Sequence, residues 1–442
     1  MSGMTIGLLM FAALLMLLAL RVHIGIAMFV IGAAGFVAMN DFHWLPLMSM
    51  LKNVAYARFS NYDLAVIPLF LLMGQFATHG GLSGALFSCV NNFVGHFRGG
   101  VAMAAVAACA AFGAICGSSL ATAATMGQVA LPELRRYRYS GALATGALAA
   151  GGTLGIMIPP SVPLVIYAVL TQESIGKLFM AAVIPGLVAL LGYLIVIRLV
   201  VAFRPEAGPA AGRVPLPVAL RSLAGVVPVL LVFLVVIVGI YDGWANPTEA
   251  ASIGAAACGI LALVGGMRMD GILKSVFGTA QATAMIFLVL LGADMLNAGL
   301  AITQMPVELA GWVQGSALPP LSVLFAILLI YIALGCVMDS LAMILLTIPI
   351  FYPIVMGLDF WGMPVADKSV WFGILALMVV EIGLVHPPIG MNIYIINRLA
   401  KDVPVTETFK GVLPFLASDL VRILLLVFFP ALSLYLVHAL GG

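Results

Sequence analysis

Long apolar runs separated by short polar interruptions set the pattern of this chain. They cover residues 4–20, 23–39, 62–79, 100–116, 141–158, 177–203, 223–241, 247–267, 275–300, 319–335, 370–385 and 412–438. Most approach the roughly 20 residues that a helix needs to cross the hydrocarbon of a bilayer. They lack the period-two alternation of half-buried strands, which predicts helices. Pieces near 117–131, 160–171, 337–356 and 388–399 are too short or too interrupted for simple spans. The pattern predicts an all-α polytopic membrane protein in contact with lipid over much of its surface.

Composition agrees. Of 442 residues, 64% are hydrophobic and 8% charged, against about 25% charged in soluble domains. The formal net charge of +2 points to no nucleic-acid partner. No Lys or Arg precedes the first apolar run, so it reads as a first membrane helix rather than a signal peptide. Arg21 follows that run, and the positive-inside rule then places Arg21 in the cytoplasm and the N-terminus outside. Cys89, Cys109, Cys116, Cys258 and Cys336 all lie in apolar stretches without CxxC spacing and read as small core residues.

Two basic segments mark loops. Residues 204–222 carry Pro205, Pro209, Pro215 and Pro217 among Arg204, Arg213 and Arg221. This segment reads as a cytoplasmic connection between a first half, 1–203, and a second half, 223–442. The run from Glu133 to Ser140 is a second basic loop.

The halves echo one another. Gly74 pairs with Gly292, Gly81 with Gly299 and Gly117 with Gly335, each at an offset of 218 (292 − 74, 299 − 81, 335 − 117). "GIMIPPSVPL" from Gly155 pairs with "GLVHPPIGMN" from Gly383, at 383 − 155 = 228. The ten added residues fall in the polar loop Gly357–Ser369. Paired interrupted segments in two halves are the sequence signature of a transporter binding site.

Two kinds of segment could carry chemistry. Gly117, Ser118, Ser119, Thr122 and Thr125 form a small, hydroxyl-rich stretch near 117–132, read either as a tight helix contact or as a re-entrant hairpin facing a cavity. Its counterpart near 335–353 carries Gly335, Asp339 and Ser340, and a membrane Asp favours the second reading. The Pro-Pro pairs predict broken helices near 152–170 and 381–397. Gly155 and Pro159 end one half-helix, and Gly383 and Pro387 end the other; ending a helix leaves carbonyl oxygens without partners, which can serve a hard cation. The helix starts after each break, with Ser161 and Asn392, offer N–H groups to an anion. Ser118, Thr122, Ser161, Asp339 and Asn392 are the candidate substrate contacts. Glu249 and Glu381 read as structural, Glu381 holding the broken helix by hydrogen bonds, with a proton or cation partner as its alternative. Gly81-Leu82-Ser83-Gly84 matches the GxSG of membrane proteases, but Ser83 becomes Ala301 in the second half, and no P-loop or HExxH is present.

"AICGSSLATAATMGQVALPELRRY", "AAGGTLGIMIPPSVPLVIYAVLTQESIGKLFMAAVIPG" and "EIGLVHPPIGMNIYIIN" resemble the large membrane subunit of tripartite ATP-independent periplasmic (TRAP) transporters, over essentially the whole chain. The resemblance implies two inverted-topology repeats, each with a re-entrant hairpin and a broken helix, and an elevator mechanism in the bacterial inner membrane. It implies no organic cofactor, sodium ions as coupling ions and a small organic acid as substrate. The implied partners are an extracytoplasmic substrate-binding protein and a small four-helix membrane subunit, expected as a separate chain. It maps a first sodium site to Gly117, Ser118, Ser119, Gly155, Ile158 and Pro159, and a second to Gly335, Gly383 and His386. His386 stands where the family commonly has Thr, and Cys116 where many members have Ser. The alternative function is a binding-protein-independent carrier or cation/proton antiporter of the same plan.

Overall fold

The computed structural model describes residues 2–316, 318–336 and 338–440. Among these residues every regular element is a helix. The first half opens with α1 (Gly3–Ala19), α2 (Ile24–Met39) and the more polar α3 (Leu45–Phe59). A 3₁₀ turn (Tyr62–Ala65) leads into α4 (Val66–His79), and the chain bends by 66° into α5 (Leu82–Val94). A hairpin follows, α6 (Gly100–Cys116) and α7 (Ser119–Arg136). Next come α8 (Gly141–Met157) and α9 (Val162–Thr171), two arms of one helix bent by 41° at its break, and the long α10 (Ile175–Phe203).

The second half begins inside the segment expected as a linker, with α11 (Leu216–Leu223) and α12 (Val227–Tyr241). α13 (Pro247–Val264) and α14 (Met269–Thr303) follow, then α15 (Met305–Gly315). The second hairpin is α16 (Pro320–Gly335) and α17 (Ser340–Met356), the second broken helix α18 (Val365–Gly383) and α19 (Met391–Leu399). The chain closes with α20 (Val405–Phe428) and α21 (Ala431–Leu440), which divide the last apolar run at Phe429 and Pro430. Proline in that position lacks the donor that would continue the helix.

α10, α13, α14 and α20 are each long and apolar enough to cross a membrane. α14 has 35 residues, about 52 Å at 1.5 Å per residue, so it must tilt or project beyond a hydrocarbon core of about 30 Å. Leu187, Leu191, Ile195 and Leu199 recur every four residues on α10, and all are exposed. Spacing by four keeps them on one helix face, and that face meets lipid.

The halves pack reciprocally. α14 lies on α2 while α4 lies on α13, and α7 lies on α19 while α17 lies on α9. A two-fold relation between repeats generates such crossed pairs, and here it is inverted. The corner between α7 and α8 meets the loop before α20, through the Arg135–Asp402 ion pair and Val403 against Gly141. Tyr167 of α9 meets the start of α18, donating to the Ser369 carbonyl at 2.7 Å.

α8 and α18 are buried along almost their entire length. A helix apolar all round belongs inside the protein. The Gly- and Ala-rich sequence of α8 lets its neighbours approach to backbone contact. A Cβ on Gly146 would lie 2.4 Å from the carbonyl carbon of Gly411 in α20.

The residues preceding α11 are pinned to the first repeat. Gly99 N donates to Gly208 O, Ala211 N to Gly95 O and Ser140 N to Ala207 O, at 2.9, 2.9 and 3.0 Å. Tyr139 is buried in the same corner and accepts from Val101 N at 3.1 Å. Burial disfavours its anion and pushes the phenol up to about 12.

Candidate functional site

The first hairpin turns on two residues. Gly117 ends α6 in the left-handed region at φ 61°, which glycine adopts without the Cβ clash. Ser118 is extended and begins α7, its hydroxyl accepting from Ala121 N at 3.4 Å. Ser119 and Thr122 on the first turn are buried, and neither hydroxyl has a hydrogen-bond partner.

This tip rests on the first break. A Cβ on Gly155 would lie 2.5 Å from Thr122 Oγ1 and 2.8 Å from Ser118 O, and one on Gly117 would lie 3.1 Å from Pro160 O. In a helix the carbonyl of residue i accepts from the N–H of residue i+4. Pro159 and Pro160 have no N–H, so the Gly155 and Ile156 oxygens have no helical donor. Ile158 turns to extended backbone, with its N–H on Leu154 O at 3.3 Å. Ser161 is fully buried with an unpartnered hydroxyl.

The second break is arranged differently. Pro387 and Pro388 remove the helical donors of Gly383 O and Leu384 O, but both oxygens find others. His386 N donates to Gly383 O at 3.2 Å, and Asn392 N to Leu384 O at 3.1 Å. The His386 ring turns back onto the Pro387 carbonyl, and Cys336 Sγ stands 3.6 Å from His386 Nδ1. Both Pro-Pro bonds, 159–160 and 387–388, are cis.

Gly335 does not occupy the place that the common offset assigns to it. It is the last residue of α16, where a Cβ would come 2.8 Å from Gly383 Cα. Its spatial equivalent is Gly113, whose Cβ would come 2.4 Å from Gly155 Cα. The pairing with Gly117 is therefore wrong by one helical turn. Ser118 and Asp339, each the residue before its hairpin's second helix, correspond at 339 − 118 = 221. Part of the added length thus enters before the hairpin tip. The rest enters in the loop between α17 and α18, where residues 357–364 replace the shorter 137–140, and in α18 itself, where Gly383 lies 18 residues past the helix start (383 − 365) against 14 for Gly155 in α8 (155 − 141).

The two tips meet. A cavity of about 130 Å³ is lined by Gly117, Ser118 and Ser119 on one side, Asp339 and Ser340 on the other, with Val162 and Pro163 of α9. The helix starts of α7, α17 and α9 all reach it, and unpaired N–H groups at helix starts favour an anion. Of the candidate substrate contacts, Ser118 and Asp339 line this cavity, and Thr122, Ser161 and Asn392 do not. Asn392 instead reaches the first repeat, donating to Ala149 O at 3.3 Å.

Behind the tips lies a buried polar cluster that the sequence reading passed over. Tyr193 of α10 donates to Asp419 Oδ2 at 3.0 Å and stands 3.1 Å from Thr153 Oγ1. Arg422 Nη2 is 3.0 Å from Asp419 Oδ1 without hydrogen-bond alignment, and its Nη1 contacts Met157 Sδ. A charged pair three residues apart inside the apolar run 412–438 was the available signal. Glu381 is fully buried on α18, and neither carboxyl oxygen has a hydrogen-bond partner. It does not hold the broken helix by hydrogen bonds. Glu249 is structural: with Asn246 it forms a capping box at the start of α13, both bonds 2.9 Å. Asp294 of α14 accepts from both Nε and Nη2 of Arg58 on α3.

These features define a polytopic helical membrane protein built of inverted repeats around hairpins and broken helices. Its fold is similar to that of the Alcanivorax borkumensis YdaH transporter, whose crystal structure has an unusual topology (TM-score 0.59, 14% identity, 87% of this chain and 88% of that one). Residues 11–432 match the tripartite ATP-independent periplasmic transporter, DctM component. The chain belongs to that family, as a large permease subunit and not an enzyme. It is 36% identical to the Pseudomonas aeruginosa C4-dicarboxylate TRAP transporter large permease protein DctM, over 86% of this chain and 87% of that one. The sialic acid large permease SiaM of Vibrio cholerae is 31% identical (85% and 86% covered), and the isethionate permease DctMQ of Oleidesulfovibrio alaskensis 30% (88% and 60%).

Proposed function

We propose that this chain is the permease subunit of a sodium-coupled, binding-protein-dependent importer of a small organic anion in a bacterial inner membrane. The observation that carries the reading is the cavity where three helix starts meet beside a broken helix with two carbonyls stripped of helical donors. Helix starts suit a carboxylate, and the Gly155 and Ile156 carbonyls suit a hard cation such as sodium, which takes oxygen ligands. The unpartnered Ser119 and Thr122 hydroxyls beside them fit the same ion. C4-dicarboxylate, sialic acid and isethionate, named for three relatives, are anions, and ectoine, named for a fourth, is a zwitterion that carries a carboxylate.

The second break fits an ion less well, since Gly383 O already accepts from His386 N. The tripartite reading brings in an extracytoplasmic binding protein and a small membrane subunit, the latter as a separate chain. An elevator-type displacement of hairpins and broken helices would carry the cavity across. Arg135, Arg136 and Arg138 lie at the corner that the 207–211 segment is bonded to, and the positive-inside rule places this face in the cytoplasm. The N-terminus is assigned to the periplasm by the same rule acting on Arg21.

The test is co-reconstitution of the three components in vesicles under an imposed sodium gradient. Uptake indifferent to sodium sinks the coupling, and uptake without the binding protein sinks the tripartite arrangement.

A further inference from the structure

Glu381 has an unusual place in this molecule. It sits at the end of α18, two residues before Gly383, with no exposed surface and no partner for either oxygen. Two other ionisable groups share its buried neighbourhood, Asp419 and Arg422. Arg422 is committed to Asp419, at 3.0 Å and three residues away on α20, and the Tyr193 hydroxyl donates to the other Asp419 oxygen. One guanidinium serves two carboxyls, and Glu381 is the one left without a cation. A buried ionised carboxylate calls for a compensating charge.

What Glu381 does face is Ser119. The hydroxyl lies beside the carboxyl without completing a hydrogen bond. Ser119 belongs to the first hairpin tip, one residue from the Ser118 carbonyl that packs on Gly155. Thr122 Oγ1 packs on Gly155 from the same helix turn, also unpartnered. Neutral oxygens thus gather around the first break, and an unpartnered carboxyl from the other repeat borders them.

We infer that Glu381 is the counter-charge for the cation at the first broken helix, so that one repeat's ion is held by the other repeat's carboxylate. This rests on the sodium-coupled reading and adds to it a residue with a defined role. Neutral carbonyls and hydroxyls orient a cation, whereas a carboxylate in a low-dielectric site attracts it over distance. Ion loading then supplies the compensating charge that ionised Glu381 lacks. It also ties α18 to the first hairpin.

The test is sodium-dependent thermal stabilisation of the purified membrane complex. Sodium chloride is exchanged for choline chloride at constant ionic strength, so no substrate is needed. Glu381→Gln is expected to raise the half-saturating sodium concentration by about tenfold or more, the loss of one buried attraction of a hydrogen-bond-sized free energy. Glu381→Asp, which keeps the charge and shortens the side chain, is expected to fall between it and the parent. It serves alone where the glutamine variant does not fold. Half-saturation unchanged in the folded variants overturns the inference. A parent protein that sodium does not stabilise removes the sodium reading itself, an outcome distinguished by the parent alone.

Discussion

Ser118 and Asp339 lie in the walls of one cavity although 221 residues separate them (339 − 118). Each precedes the second helix of its hairpin, and each is half-buried. The two copies differ in chemistry: a hydroxyl accepts from Ala121 N on one side, and an acid stands on the other. Asp339→Asn keeps the size and removes the negative charge from a site proposed for an anion. The expected result is altered apparent affinity for substrate with retained folding, checked by uptake kinetics in vesicles and a melt in detergent. Identical kinetics in the parent and Asp339→Asn would remove Asp339 from the substrate site.

Gly383→Ala should damage the fold. Its Cβ would come 2.4 Å from Gly335 Cα, backbone against backbone with no flexible side chain to yield. Overpacking of this kind costs about 1–3 kcal/mol, so the melting midpoint is expected to drop. Gly84→Ala on α5 meets nothing within 4 Å and is expected to leave the midpoint nearly unchanged. Equal melting of the two variants would show that the α16–α18 crossing tolerates separation.

Arg422→Met leaves Asp419 buried without its cation. Breaking a buried pair by removing one partner costs about 3–5 kcal/mol, whereas replacing both partners with apolar residues is often close to neutral. The double variant Asp419→Leu/Arg422→Met is therefore expected to express and melt closer to the parent than Arg422→Met alone. Measured yields and midpoints decide it, and a double variant worse than the single would mean that Arg422 is not there for Asp419.

Asn246→Ala removes the cap of α13 and frees the Glu249 carboxylate. Loss of an N-cap costs about 0.5–2 kcal/mol, visible as a lower melting midpoint, and transport per folded molecule should persist. A selective loss of transport would give Glu249 a role beyond the capping box.

Arg58 and Asp294 join α3 to α14 through a two-pronged, mostly buried contact, with 14% and 15% of the two side chains exposed. Contacting charged residues couple by about 0.5–3 kcal/mol. A double-mutant cycle with Arg58→Ala and Asp294→Ala, read by melting, is expected to show coupling in that range. Additive losses would mean that the pair only shares a location.

Much of this architecture could be read from residue chemistry. The Pro-Pro pairs announced both breaks because proline has no N–H to give, whatever surrounds it. Gly117 at a hairpin tip was legible for a similar local reason. α5 and α15 were not legible, because 13- and 11-residue helices of mixed polarity carry no spanning signal. The Gly117–Gly335 pairing failed because an offset shared by three glycines hides length added between them. Glu381 looked structural because its partners are set by tertiary packing, and the sequence holds no sign that it has none.

The hydrogen bonds donated by Gly99 N to Gly208 O, by Ser140 N to Ala207 O and by Ala211 N to Gly95 O have a consequence for how far the chain can stretch. They shorten the free connector to residues 212–215 before α11 starts at Leu216. The five links from Ala211 to Leu216 reach at most about 16–18 Å when fully extended. The covalent thread between the two repeats is therefore a short leash. Any stroke that separates the stapled corner from the start of α11 by more than that length must first peel residues 207–211 off the protein.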